Sequence, residues 1–152
     1  MAAERTLPAV TIREFQSADY DAVIALWQAV KLPLKPEGRD SRENIERQVG
    51  LPTVIFLVAA TVEGRIVGTV LATHDGRKGW INRLAVAPAL QRAGLGRRLV
   101  EEAEARLGAL GLGIIAALIE DDNPVSMAVF ERLGYVKHSE ILYFAKRKFP
   151  GA

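Results

Sequence analysis

The stretch Leu84-Ala-Val-Ala-Pro-Ala-Leu-Gln-Arg-Ala-Gly-Leu-Gly-Arg-Arg-Leu99 carries the densest chemical signal in the chain. It reads as the end of a strand, a turn, and a helix that opens directly after Gly94-Leu-Gly96. The first amides of a helix have no internal acceptors, and the macrodipole is positive at that end. Glycine at 94 and 96 removes the Cβ that would keep a ligand off the backbone. Gln91, Arg92, Ala93, Gly94, Leu95 and Gly96 thus spell a cradle of N–H groups suited to a phosphate or pyrophosphate. Arg92, Arg97 and Arg98 add cations at its rim, although the same three also fit a solvated helix face.

Three phosphate-binding patterns compete for this segment. A P-loop needs Gly-Lys followed by Ser or Thr, which the chain lacks. A dinucleotide fingerprint needs a third glycine or an alanine at position 99, which is leucine. Gly111-Leu-Gly113-Ile-Ile-Ala116 has the right letters, but a helix precedes it and a strand follows, the reverse of what the mechanism requires. Gln-x-x-Gly-x-Gly after a strand remains. A second motif lies downstream, where Asn123, Ser126, Phe130, Gly134 and Tyr135 keep the spacing Asn-x-x-Ala-x-x-x-Tyr-x-x-x-Gly-Phe with three changes of residue.

The two motifs, in this order and context, resemble the GNAT superfamily of N-acetyltransferases. The resemblance covers roughly residues 9–148. Phe56-Leu-Val-Ala59, Ile66-Val-Gly-Thr-Val70 and Glu131-Arg-Leu-Gly-Tyr135 look like small bacterial members of the YpeA type. It implies acetyl-CoA as co-substrate, no metal, and a primary amine as acceptor, either a small molecule or a peptide. Leu84, Ala85 and Val86 would lie on a strand that splays from its neighbour and binds the pantetheine arm. An amide at Ala85 or Val86 would polarise the thioester carbonyl, with Ala85 taken as the oxyanion donor. Gln91 to Gly96, with Arg97, would take the pyrophosphate. Asn123 would contact the pantetheine from the opposite wall, and Phe130 would pack beside the sulfur.

Phe130 departs from the family's usual tyrosine, whose hydroxyl protonates the departing thiolate. An alkyl thiol has a pKa near about 8.5, so a bare thiolate is still a tolerable leaving group. Tyr143 and Tyr135 are alternative acids, Tyr135 also fitting the buried aromatic slot after the glycine. A base is needed as well, because an amine of pKa about 10.4 is almost wholly protonated at pH 7. Glu120, just after the fifth main strand, would point toward the acceptor cleft if the alternation holds. Asp75 and His74 are further candidates, although Asp75 before Gly76 also suits a plain turn.

Elements must hold these groups in place. Ala9–Phe15 reads as a strand, and Ser17 as the cap of a helix whose apolar face is Val23, Leu26, Trp27 and Val30. The prolines of Leu32–Pro36 end that helix in a connector that fits an acceptor-lining loop as well as an exposed link. Ser41 caps a second helix to Val49. Val54–Val62, Ile66–Thr73 and Trp80–Val86 form a meander turned at Glu63-Gly-Arg65 and Asp75-Gly-Arg77. A helix over Leu95–Ala109, a strand over Ile114–Ile119 and a helix over Pro124–Leu133 follow, the last stopped by Gly134. Val136–His138 and Ile141–Lys148 complete the order as strands. The result is an α+β three-layer fold: a mixed, mostly antiparallel sheet with helices on both faces. Residues 1–8 read as a loose arm and 9–150 as a single acetyltransferase domain.

Composition excludes several other classes. The chain has 152 residues and no cysteine, which removes disulfide scaffolds, thiolate metal sites and any acyl-cysteine intermediate. His74 and His138 are too few for a histidine-rich metal centre. Lys and Arg number 20 against 18 Asp and Glu, with the signs interspersed, so no basic stripe marks a nucleic-acid binder. The uncharged stretches Val49–Val62 and Leu107–Ile119 are shorter than the roughly 18 residues of a spanning helix, and no apolar leader is visible. These features imply a cytoplasmic protein with no membrane partner. Homodimers are common in the family, but no residue here marks an interface. Rival readings are a non-catalytic acyl-CoA sensor, a nucleotide-binding regulatory domain, and an enzyme for longer acyl donors.

Overall fold

Side-chain alternation along one buried strand sets the layering. In β2 (Val54–Thr61), Leu57 and Ala59 join one apolar cluster while Phe56, Val58 and Ala60 join another on the opposite face. The computed structural model describes residues 6–152, so the first five residues of the expected N-terminal arm lie outside the described residues. Leu7, in the remainder of that arm, packs against the first cluster.

Around β2 run β1 (Val10–Glu14), β3 (Ile66–His74), β4 (Lys78–Val86) and β5 (Ile114–Ala117), in the sheet order β1-β2-β3-β4-β5. The first four are antiparallel neighbours, and β4–β5 is the one parallel pair among them. One face carries α1 (Tyr20–Ala29) and α2 (Arg42–Val49), whose Val23, Leu26, Trp27 and Ile45 close the second cluster. The other carries α3 (Leu95–Gly108), with Leu95, Leu99, Val100, Ala103 and Leu107 buried as one stripe, and α4 (Pro124–Arg132), which contributes Phe130.

Local chemistry explains most boundaries. The Ser41 hydroxyl accepts from the Asn44 N–H at 3.2 Å and starts α2. Asn123 does the same for α4 at 3.1 Å toward Ser126, with Pro124 at the first helical position. Ser17 does not cap α1 as expected. It opens a short 3-10 turn, and Asp19 instead accepts the Gln16 N–H at 2.8 Å. Asp19 is preferred because its carboxylate is also gripped by both Arg13 nitrogens, at 2.7 and 2.9 Å, which a hydroxyl could not match.

The two C-terminal strands are not formed. After Gly134 the described chain has no strand, and Ile141, Leu142, Tyr143 and Phe144 are 69% to 86% exposed. An alternating β-favouring run becomes a strand only when a neighbouring edge supplies its ladder. Here the far end of the segment is held elsewhere: Arg39 N donates to Gly151 O at 3.0 Å. Gly38 meets the same residue so closely that a Cβ on it would fall 2.2 Å from Gly151 O.

The Arg13–Asp19 pair gives the fold a predictable acid limb. Hydrogen bonding to Arg13 holds the Asp19 carboxyl below the usual carboxylate range, against its burial. A depressed folded pKa means this stabilisation is complete above the unfolded value of about 3.9 and is lost as pH falls through the folded one. Asp19→Asn should lower stability at pH 7 and flatten the decline below pH 4, read by urea melts from pH 2 to 7. An unchanged acid limb would show that the pair does not contribute.

Candidate functional site

The site begins where β4 outruns β5. The two strands pair only from Lys78↔Ile114 to Ile81↔Ala117. β4 continues to Val86, whereas β5 ends at Ala117. A narrow cleft of about 80 Å³ opens in the gap, with Leu84, Ala85 and Val86 on one wall and Asn123, Val125, Ser126 and Val129 on the other. Gln91 and Gly96 close one end, and Val30 and Leu32 reach over from the connector after α1.

Within β4 the register slips by one residue. Leu71 pairs with Asn82 and Thr69 with Ala85, so Arg83 and Leu84 together oppose Val70, a bulge with one extra residue. The face of the strand changes across it: Ile81 belongs to the α3-side core, Ala85 to the α1-side core, and Leu84 and Val86 pack on the α3 side. Ala87 N donates to Val67 O at 2.8 Å, and in an antiparallel ladder bonded residues alternate. Ala85 therefore turns its N–H toward β3, and Val86 turns its backbone groups outward. Gln91 Nε2 donates to Val86 O at 3.1 Å, in agreement. The outward amide is thus that of Val86, while that of Ala85, expected as the oxyanion donor, faces β3 across the bulge.

Arg83 sits in the bulge at φ 52°, the left-handed region, which costs a non-glycine residue about 1–2 kcal/mol. Its side chain is anchored by Asp40 Oδ1 at 2.7 Å, by the Pro33 carbonyl, and by the face of Trp27 at 4.8 Å. Burial pulls the guanidinium below its ordinary value, and Asp40 opposes the shift. The Thr69 hydroxyl, fully buried, donates to Arg83 O at 2.8 Å and accepts from Trp27 Nε1 at 2.9 Å. On this side of the bulge lies a cavity of about 970 Å³, between α2, residues 37–41, Asn82 and Arg83, bordered also by Phe149 and Gly151.

Beyond β4 the chain makes a 3-10 turn at Pro88–Leu90 and enters α3 through Gly94, at φ 89°. The amides of Leu95, Gly96 and Arg97 lie in the first turn, where the helix has no acceptors for them. Gly96 is a close-approach glycine: an added Cβ would lie 3.3 Å from Val129 Cγ2 and 3.6 Å from Val86 Cγ2.

The model for the GNAT acetyltransferase family matches residues 18–135. The chain belongs to the GNAT acetyltransferase family. Solved structures share its fold. An aminoglycoside 6'-N-acetyltransferase from Acinetobacter baumannii is 17% identical with a TM-score of 0.73, over 91% of this chain and 99% of its own. Glucosamine-6-phosphate N-acetyltransferase from Arabidopsis thaliana is 15% identical with a TM-score of 0.71, over 93% and 99%. A predicted acetyltransferase solved with acetyl-CoA, from Clostridium acetobutylicum, is 12% identical with a TM-score of 0.74, over 90% and 96%.

Of the residues expected at a GNAT site, Leu84, Ala85, Val86, Gln91, Gly96 and Asn123 meet in one cleft. Arg92, at φ 66°, Ala93, Gly94 and Leu95 form the turn into α3. Arg97 points along the helix, pairing with Glu101 at 2.8 Å. The catalytic candidates fare differently. Glu120 is exposed, lies past β5, and is not in the cleft lining; its carbonyl accepts from Asn123 N at 3.1 Å. Tyr143 is 71% exposed on the unpaired C-terminal segment. Phe130 is buried against Tyr135, rings 4.9 Å apart and edge to face, and its neighbour Val129 lines the cleft instead. Burial, with Glu104 alongside, pushes the Tyr135 hydroxyl far up, making it a poorer acid. Asp75 is the turn former: Oδ1 accepts from Arg77 N at 2.9 Å and Lys78 N at 2.8 Å. His74 accepts from Gly76 N at 3.3 Å in the same turn.

Sequence reasoning missed Arg83, Asp40 and Thr69. No periodicity marks an arginine with positive φ, and its partners lie 43 and 14 residues away. Val30 is legible only as an apolar helix position, and no sequence signal singles out Val129.

The two loop glycines should respond differently. Gly94→Ala strains the backbone but meets nothing within 4 Å, so it should cost about 1–2 kcal/mol of stability and leave the cleft open. Gly96→Trp must displace Val129 or fill the cleft, and should abolish acetyl-CoA binding by calorimetry. Retained affinity in Gly96→Trp would remove the loop from the coenzyme site.

Proposed function

We propose that this chain moves an acetyl group from acetyl-CoA to a primary amine, which attacks the thioester directly while both are bound. The observation that carries this reading is the outward Val86 amide in the splayed cleft that Gly96, in the first turn of α3, also lines. Leu84 and Val86 would hold the pantetheine arm along β4, with Asn123 on the facing wall. The first-turn amides of α3, the Gln91–Gly96 turn and Arg92 would take the pyrophosphate, where helix dipole and cations reinforce each other. The Val86 N–H would then stabilise the oxyanion that forms when the amine nitrogen adds to the carbonyl carbon. Collapse breaks the C–S bond and coenzyme A departs as thiolate, which takes a proton from water, while the acceptor nitrogen, starting as the ammonium ion, gives up two protons on the way to the amide.

The acceptor would enter from the large cavity on the Arg83 side of β4. None of Glu120, Asp75 and His74 lines either cavity; the large one is bordered by the carboxylates Glu37 and Glu43, so the amine's proton would pass to water or to one of these two in that open space. Phe130 has no proton to give, and a thiol pKa near about 8.5 makes departure as thiolate tolerable. The same phenylalanine favours the second reading, an acyl-CoA-binding module without turnover. One domain over residues 9–150 would carry the activity in the cytoplasm; no helix among the described residues is long and apolar enough to cross a membrane.

Thermal unfolding with acetyl-CoA, ATP and NAD tests the donor. A ligand at 100 times its Kd adds about 2.7 kcal/mol, roughly 5–10 °C for a domain of this size. A rise with acetyl-CoA alone is expected, and its absence at millimolar ligand would sink the reading. Thiol release that depends on an added amine then separates the enzyme from the sensor.

A further inference from the structure

We infer that Arg83 is a positioning residue for this chemistry: its side-chain anchors hold the bulge that turns the Val86 N–H out of the β3–β4 ladder and into the cleft. The inference rests on the acetyl-transfer reading above.

Without the extra residue, the register set by Leu71↔Asn82 would continue as Thr69↔Leu84 and then Val67↔Val86. Residues 67 and 69 of β3 are the ones that bond to β4, so Val86 would spend its N–H on Val67 and Ala85 would face the cleft instead. The amide that the site presents is therefore decided at Arg83. Its left-handed backbone is the conformation a glycine adopts most easily, so an arginine there has to be held by its side chain. Asp40, itself 5% exposed, takes the guanidinium at 2.7 Å and also accepts the Lys35 N–H at 2.8 Å. With the Pro33 carbonyl and the Trp27 face, this ties the bulge to the connector whose Leu32 lines the same cleft. The Thr69 hydroxyl fixes the Arg83 carbonyl from the other side.

Arg83→Ala removes the anchors and keeps the Cβ that makes the left-handed backbone costly, whereas Arg83→Gly removes the anchors and the cost together. The probe is acetyl-CoA labelled with ¹³C at the thioester carbonyl, followed by infrared difference spectroscopy, with affinity from calorimetry. In the wild-type chain the carbonyl band should move to lower frequency on binding. In Arg83→Ala the affinity should stay within about threefold while the band returns toward its free position, and amine-dependent turnover should drop about 10²-fold. Arg83→Gly should recover most of the band shift, and Arg83→Lys part of it. Asp40→Asn, which keeps the side-chain shape and removes the charge, should lose part of it and serves if the alanine variant does not fold. A full band shift in Arg83→Ala, or in Asp40→Asn where that variant stands in, would overturn the proposal, as would a wild-type complex that binds with no band shift. Wild-type protein that does not bind acetyl-CoA would instead bring down the acetyl-transfer reading itself.

Discussion

A β-strand offers its backbone groups alternately to its two sides, and a sheet built without interruption leaves a ligand nothing on an interior strand. This chain escapes that limit twice along β4. β5 stops pairing at Ala117, which opens one side of the strand, and the extra residue opposite Val70 selects which amide looks into the opening. Splaying without the slip would present the Ala85 amide in place of that of Val86, and the slip without splaying would bury the Val86 amide against β5.

The slip is unfavourable locally and is compensated from a distance. Arg83 adopts a left-handed backbone, and the groups that hold it come from the α1–α2 connector and from the middle of β3. Because Asp40 and Arg83 are both largely withdrawn from water, removing Asp40 would strand the guanidinium's charge, whereas Asp40 without Arg83 would keep Arg39 at 3.5 Å. The connector is thereby coupled to the strand: Leu32 lines the cleft, Pro33 and Asp40 grip the bulge, and Gly38 and Arg39 receive the C-terminal segment.

What could be read from sequence follows the range of the interactions. Gly94, Gly96 and Pro124 announce themselves because each answers a local need: bare backbone at a helix entry for the glycines, a missing N–H for the proline; Gln91 and Asn123 are legible through the resemblance. The meander and the helices were legible through periodicities of two and 3.6. Arg83 and Asp40 were not, since nothing within several residues of either encodes the partner. The C-terminal segment erred the other way: Ile141–Phe144 has the composition of a strand, but a strand also needs an edge, and the residues that claim its end, Gly38 and Arg39, lie more than a hundred positions upstream. The resemblance puts Phe130 beside the sulfur; the turn of α4 gives the cleft lining to Val129, with Phe130 buried in the core.

The Gly38–Gly151 approach also bears on when the site can exist. Residues 149–152 leave the ribosome more than a hundred positions after the loop they clasp, and closing so long a loop is slow and entropically costly. The sheet and α3, made mostly of near neighbours in sequence, can assemble during synthesis, but the connector that walls the cleft receives its last contact only when translation has passed Gly151. A nascent chain of this protein would therefore carry a folded scaffold before it carried a finished site.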